Sequence, residues 1–120
     1  MSQALKDRTK KFAIDVWVLC SKVPNSREYN NYVNQLLRCS SSVGANYRAA
    51  MRAKSNADFI NKLKIVEEEA DESEYFLEIL NRINADTKLV EDFKVLLKEI
   101  NELLAIIVAS LTTARTNFQK

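Results

Sequence analysis

The sequence predicts an all-α protein, an antiparallel up-down-up-down bundle of four long helices, and three observations carry that prediction. Its 120 residues include one Gly and one Pro, too few breaks for an all-β chain, which needs a turn every ~8–12 residues. Apolar residues recur at three- and four-residue intervals through almost the whole chain, the signature of one helical face. Interruptions at Pro24, Ser55 and Asp86 divide that pattern into four segments. Their short connections force successive helices to run antiparallel.

The first helix is expected over Gln3 to Lys22. Leu5, Phe12, Val16, Leu19 and Val23 share one of its faces, and Pro24 stops it by pushing the preceding residue out of helical geometry. The second is expected to start at Asn25 or Ser26, with Glu28 placed to answer a cap at Asn25. Tyr29, Val33, Leu36, Ser40, Val43, Tyr47 and Ala50 form its inward row. A parallel row of small residues, Ser41, Ala45, Ala49 and Ala53, lets another helix come close. Gly44 costs about 1 kcal/mol of helix propensity relative to Ala, which close packing can offset.

Ser55 and Asp58 make a capping-box-like start for the third helix, expected to run to about Asn84. Phe59, Leu63, Val66, Ala70, Ser73, Leu77 and Leu80 give it an unbroken heptad seam. A second line, Ile65, Glu69, Glu72, Phe76, Ile79 and Ile83, is displaced around the same helix. Asp86 or Thr87 caps the fourth helix, whose early Glu91 and Asp92 suit the positive end of the helix dipole. Leu89, Phe93, Leu96, Ile100, Leu103 and Ile107 form one stripe, and Val90, Leu97, Leu104, Val108 and Leu111 another. The polar stretch from Thr112 to Lys120 is expected to fray.

The chain shows no internal repeat, low-complexity segment or second domain, so residues 1–120 are expected to form one domain. No run reaches the ~18 apolar residues of a membrane span, and the charged N-terminal segment lacks the apolar core of a secretory signal. Cys20 and Cys39 form no CxxC and there is no His. Both cysteines are expected to be reduced packing residues in a cytoplasmic protein. Without His, the commonest general base and metal ligand are missing, as is every Ser-His or Cys-His pair. No Gly-rich phosphate loop, nucleophile elbow or HEXXH is present, and Ser40-Ser41-Ser42 sits mid-helix without a base. A non-enzymatic protein with no cofactor and no metal is expected.

Charge is unevenly laid out. Residues 1–64 hold 12 Lys/Arg against 4 Asp/Glu, and residues 65–120 hold 6 against 12. Glu67, Asp71, Glu74 and Glu78 share a face of the third helix. They form either a carboxylate metal site or a face that is solvated or paired with Arg38, Arg48 and Arg52. Di-metal bundles use Glu-x-x-His pairs, so the second alternative is favoured. Arg48, Arg52, Lys54, Lys62 and Lys64 cluster at the junction of the second and third helices. They make either a phosphate-binding end, a candidate nucleic-acid contact, or an ordinary solvated end near a negative helix terminus. Trp17 is an anchor of the core or of an interface rather than a ligand platform.

Helices three and four carry more apolar surface than one bundle core absorbs, and an exposed patch of that size marks an interface. Ile65, Phe76, Ile79, Ile83, Leu97 and Leu104 are the candidate contacts of a homo-oligomer.

Four segments together carry a resemblance: Phe12 to Trp17, Gln35-Leu36-Leu37-Arg38-Cys39-Ser40-Ser41-Ser42-Val43-Gly44-Ala45-Asn46, Phe59-Ile60-Asn61-Lys62-Leu63 and Glu74-Tyr75-Phe76-Leu77. The chain resembles the bacterial four-helix bundles encoded in intervening sequences of 23S rRNA genes. The accessory variability determinant of diversity-generating retroelements is a relative. The resemblance implies a homo-oligomer, typically a pentameric ring, in a family without an established enzymatic activity. It also implies RNA, or a reverse transcriptase with its nucleic acid, as the partner, although the retroelement relative is more basic. Where many relatives have Ala-Glu-Gly, this chain has Arg48-Ala49-Ala50, so its second helix is expected to continue about a turn further.

Overall fold

The computed structural model describes residues 2–119, with the side chains of residues 3–117. They form four α-helices: α1 (Ser2–Lys22), α2 (Arg27–Met51), α3 (Asn56–Ile83) and α4 (Val90–Gln119). A 3-10 turn over Thr87–Leu89 leads into α4. α2 packs on α1 and α3, and α4 packs on α3 and more lightly on α1. The helices therefore stand in chain order around a square and alternate in direction. The rod measures 51 × 22 × 21 Å, the cross-section of two helices by two.

α2, α3 and the 3-10 turn before α4 each start where a short polar side chain satisfies a free backbone N–H. Ser26 caps α2, its Oγ accepting from the Tyr29 N–H at 3.4 Å. The alternative cap, Asn25, instead accepts from the Asn30 side chain at 2.9 Å. Ser55 Oγ accepts from the Asp58 N–H at 3.1 Å, while the Asp58 carboxylate accepts from the Lys54 N–H at 3.2 Å, just ahead of the cap. Asp86 accepts from the Lys88 N–H at 2.9 Å and so starts the 3-10 turn. The expected fraying of the tail does not occur over Thr112–Gln119, where α4 stays helical. That stretch contains no Gly or Pro, and the Thr112 and Thr116 hydroxyls donate one turn back within the helix. Lys120 lies outside the described residues.

The core follows the expected seams. Leu63, Val66, Ala70, Ser73, Leu77 and Leu80 of α3 are buried, as are Leu89, Phe93, Leu96, Ile100, Leu103 and Ile107 from the last segment. α1 contributes Leu5, Phe12, Val16 and Leu19, and α2 contributes Leu36, Val43, Tyr47 and Ala50. Three hydroxyls are buried among them, and each donates to a carbonyl within its own helix. Thr9 reaches Leu5 O at 2.8 Å, Ser40 reaches Leu37 O at 3.4 Å, and Ser73 reaches Glu69 O at 2.8 Å. Buried polar groups are tolerated when their hydrogen bonds are made in this way.

α1 and α2 come close at Gly44, where a Cβ would stand 3.1 Å from Thr9 Oγ1 and 3.5 Å from the Thr9 carbonyl carbon. Ser41 and Ala45 of the small-residue row stay exposed at the edge of this contact. Gly44→Val forces two methyl groups against α1 and should cost about 1–3 kcal/mol in urea unfolding. Adding Thr9→Ala should recover part of that loss. For comparison, Leu77→Ala opens a cavity and should cost about 2–5 kcal/mol.

Candidate nucleic-acid interface

The alternation of direction gathers the start of α1, the end of α2, the start of α3 and the end of α4 at one end of the rod. Arg48, Arg52, Lys54 and Lys64 are exposed there. None of the four makes an ion pair among the described residues. Arg52 is also the C-cap of α2, its N–H turned to the carbonyls of Ala49 and Ala50. Lys62 differs. Its ammonium sits 2.6 and 2.7 Å from the two oxygens of Asp58. That hydrogen bond, followed by the one from Lys54 N–H, holds the Asp58 carboxyl below its ordinary range.

Sequence reasoning missed part of the cluster. A cleft of about 460 Å³ runs between α1 and α2, with Lys6, Lys10 and Arg48 on its walls and Ser41, Gly44 and Ala45 along α2. Asp7, the one acid there, accepts from Gln3 at 3.0 Å. Lys6 and Lys10 also make no ion pair among the described residues, and Lys10 is exposed. Their neighbours Arg8 and Lys11 are committed elsewhere. Arg8 lies 2.6 Å from Glu99 and 3.4 Å from Glu102, and Lys11 lies 2.6 Å from Asp15. The signal was available in the sequence: antiparallel pairing sets the early turns of α1 against the last turns of α2.

The acidic run divides. Arg38 holds Glu69 and Glu72, each at 3.2 Å. The Arg38 pKa is raised, chiefly by Glu69, while burial of Glu69 pushes its carboxyl above the ordinary value despite that attraction. Glu74 accepts from the Asn101 side chain at 2.9 Å, and Asp71 and Glu78 face solvent. Among the described residues no three carboxylates or thiols converge on a point that could hold a metal ion. Of the three helix-two arginines, only Arg38 pairs with this run.

The apolar candidates lie on both flanks of α3. Ile65 and Ile83 are exposed and Ile79 is half-buried. Phe76 is half-buried, its ring 6.4 Å from Tyr32 and 5.3 Å from Tyr75. Leu97 and Leu104 pack against the core at the α3–α4 seam. Trp17 is 63% exposed on the outside of α1 and is no core anchor. No helix among the described residues is long and apolar enough to cross a membrane.

This four-helix architecture accompanies a match of residues 3–109 to the family described as 23S rRNA-intervening sequence protein. The chain belongs to that family. It is similar to a protein of unknown function, assigned to the S23 ribosomal protein family, from Bacteroides thetaiotaomicron VPI-5482, whose crystal structure is solved at 1.70 Å. The two share 33% identity over 92% of this chain and 97% of that one, with a TM-score of 0.81. No curated protein matches the chain. In this 23S rRNA-intervening sequence protein both thiols are held protonated. Burial pushes Cys20 up to about 11 and also raises the buried Cys39. Because the thiolate is the nucleophile, iodoacetamide at pH 8 should label neither cysteine during a period that labels both in 8 M urea. Reaction at Cys20 should rise only as the pH approaches 11.

Proposed function

We propose that the chain is a non-enzymatic scaffold that assembles with copies of itself and holds RNA through its phosphates. One observation carries the RNA half. Lys6, Arg48, Arg52, Lys54 and Lys64 lie at one end of the rod, none of them in an ion pair among the described residues. Ammonium and guanidinium groups without carboxylate partners are suited to phosphate oxygens. Such contacts fix position and carry little sequence information. The family description, with its link to an rRNA gene, makes RNA the nucleic acid of choice.

Self-assembly rests on apolar surface left open outside the core, including Ile65, Tyr75, Ile83, Val90 and Val108. The oligomer is a closed ring, with five copies favoured by the family resemblance. Repetition in a ring multiplies a modest charge per subunit through multivalency. A protein without His and with both thiols raised by burial has little to offer acid–base or nucleophilic chemistry. The acidic flank of α3 repels a phosphate backbone, which confines RNA to the end bearing the α2–α3 connection.

A salt titration of single-stranded RNA binding tests the RNA half. Binding should be present at ~50 mM salt and weaken steeply as salt rises. Arg52→Ala with Lys54→Ala, and separately Lys6→Ala with Arg48→Ala, should each lower the log–log slope by about 1.4, two phosphate contacts at ~0.7 each. No binding at ~50 mM, or unchanged slopes in both variants, removes RNA from the proposal. Light scattering at micromolar concentration tests the scaffold half, and a monomer there removes self-assembly.

A further inference from the structure

We infer that the outward face of α1 is one half of the contact between copies, and that it docks on the α2-side flank of α3 in the next copy. The inference rests on the self-assembly proposed above and names its two surfaces. On α1, Ile14, Trp17 and Val18 are 53%, 63% and 39% exposed and stand within little more than one turn of each other. A tryptophan left so open, flanked by two β-branched residues, is the residue type that anchors interfaces. It does not join the core among the described residues.

The opposing surface is chemically complementary. On α3, Ile65, Tyr75 and Ile83 are 41%, 59% and 42% exposed, and half-buried Phe76 and Ile79 lie between them. The flanks of the two patches carry opposite charge. Exposed Lys10 stands one turn before Ile14, and exposed Glu68 stands two turns before Tyr75 on the same face. Complementary charge beside apolar patches fixes register between partners.

Height within the rod decides for a ring. Thr9 lies against Gly44, and near the start of α2 the Tyr29 hydroxyl donates to the Ile83 carbonyl oxygen at 3.1 Å. Counting along the antiparallel helices, Ile14 is then level with Ser73 and Trp17 with Phe76. The pairs across α4, Arg8 with Glu99, Lys22 with Asp92 and Asn101 with Glu74, place α1 about a turn and a half higher against α3. Trp17 then falls between Phe76 and Ile83, so either count leaves it at the height of the apolar patch. Neighbours can therefore set apolar surface on apolar surface with little displacement along the rod.

The two surfaces differ, so the contact is heterologous, and such contacts form rings when the rotation closes and filaments when it does not. The α3 patch sits on the flank toward α2, where Phe76 meets Tyr32 and Arg38 reaches Glu69 and Glu72. It is not diametrically opposite α1. Each added copy turns in the same sense with little rise, which is the geometry of a ring.

The test uses the full chain with Cys20→Ser and Cys39→Ala. Under mild oxidation, Trp17→Cys mixed with Ile79→Cys should give a covalent dimer, and neither variant alone should give one. In the unaltered chain, Trp17→Glu should lower the light-scattering mass while circular dichroism keeps its helical signal. If the wild type assembles but Trp17→Glu assembles equally well, or the mixed cysteine variants stay uncoupled, this pairing of faces is wrong while self-assembly stands. Covalent dimers of either variant alone would also overturn it, since they require like surfaces to meet. A monomeric wild type sinks both.

Discussion

The contact of Thr9 with Gly44, the only glycine in the chain, sets the height of α1 on the bundle. A Cβ at position 44 would press on the Thr9 hydroxyl at 3.1 Å, so glycine lets α1 and α2 meet here without displacing that side chain. The Thr9 hydroxyl can be buried in that contact because it donates to the carbonyls of Leu5 and Lys6. This fixed height puts Lys6 and Lys10 across a cleft from Arg48 and puts Trp17 at the height of the Phe76-to-Ile83 patch. The basic end and the proposed contact between copies both depend on the small residue at position 44.

Packing then separates the apolar residues of each helix into those the bundle absorbs and those it leaves outside. α3 buries one heptad row from Leu63 to Leu80 completely, with Phe59 partly covered, and its second line in part. Phe76 finds Tyr32 and Tyr75, while Ile65 and Ile83 remain exposed. α4 behaves alike, with Leu97 and Leu104 packed against the core and Val90 and Val108 open. A helix in a square bundle touches two neighbours, so residues about 90–110° from the seam can be covered by an adjoining helix. Those further round cannot. The surplus identified on α3 and α4 is therefore real but smaller than the count of apolar positions implied, and α1 carries a share of it that its own seam did not reveal.

The fold was largely legible because it depends on period and punctuation, both of which are local. Leu63, Val66, Ala70, Ser73, Leu77 and Leu80 are buried as their spacing required, and Ser55 caps α3 as its position required. The α2 cap was one residue from its first assignment, because Asn25 and Ser26 are both good caps and only backbone geometry separates them. The candidate site was less legible because its members are distant in sequence. Arg48, Arg52, Lys54 and Lys64 share a stretch of chain and were found, but Lys62 proved tied to Asp58. Lys6 and Lys10 join them only through the antiparallel pairing of α1 with α2. Burial of Thr9 was equally hidden, since a hydroxyl in an apolar row is silent until its carbonyl partners are known.

Charge gives the last link between the two proposals. The N-terminal half of the sequence is basic and the C-terminal half acidic, yet few of these charges neutralise each other within one copy. Arg8 with Glu99 and Arg38 with Glu69 are the main cross-helix pairs at the flanks, and in the second the carboxylate bears a desolvation cost that its partner does not cancel. Many of the remaining acids line α3, and Lys6, Arg48, Arg52, Lys54 and Lys64 gather at one end, with Lys10 further along α1. A ring that seats α1 on the next α3 places the acidic flank against cations and apolar surface. In that arrangement the flank no longer faces solvent, where it would repel a phosphate backbone. Because cyclic symmetry keeps every rod pointing the same way, the basic ends fall on a single rim. The proposed assembly would thus do for electrostatics what it would do for apolar area: cover the surface that opposes RNA and repeat the surface suited to it.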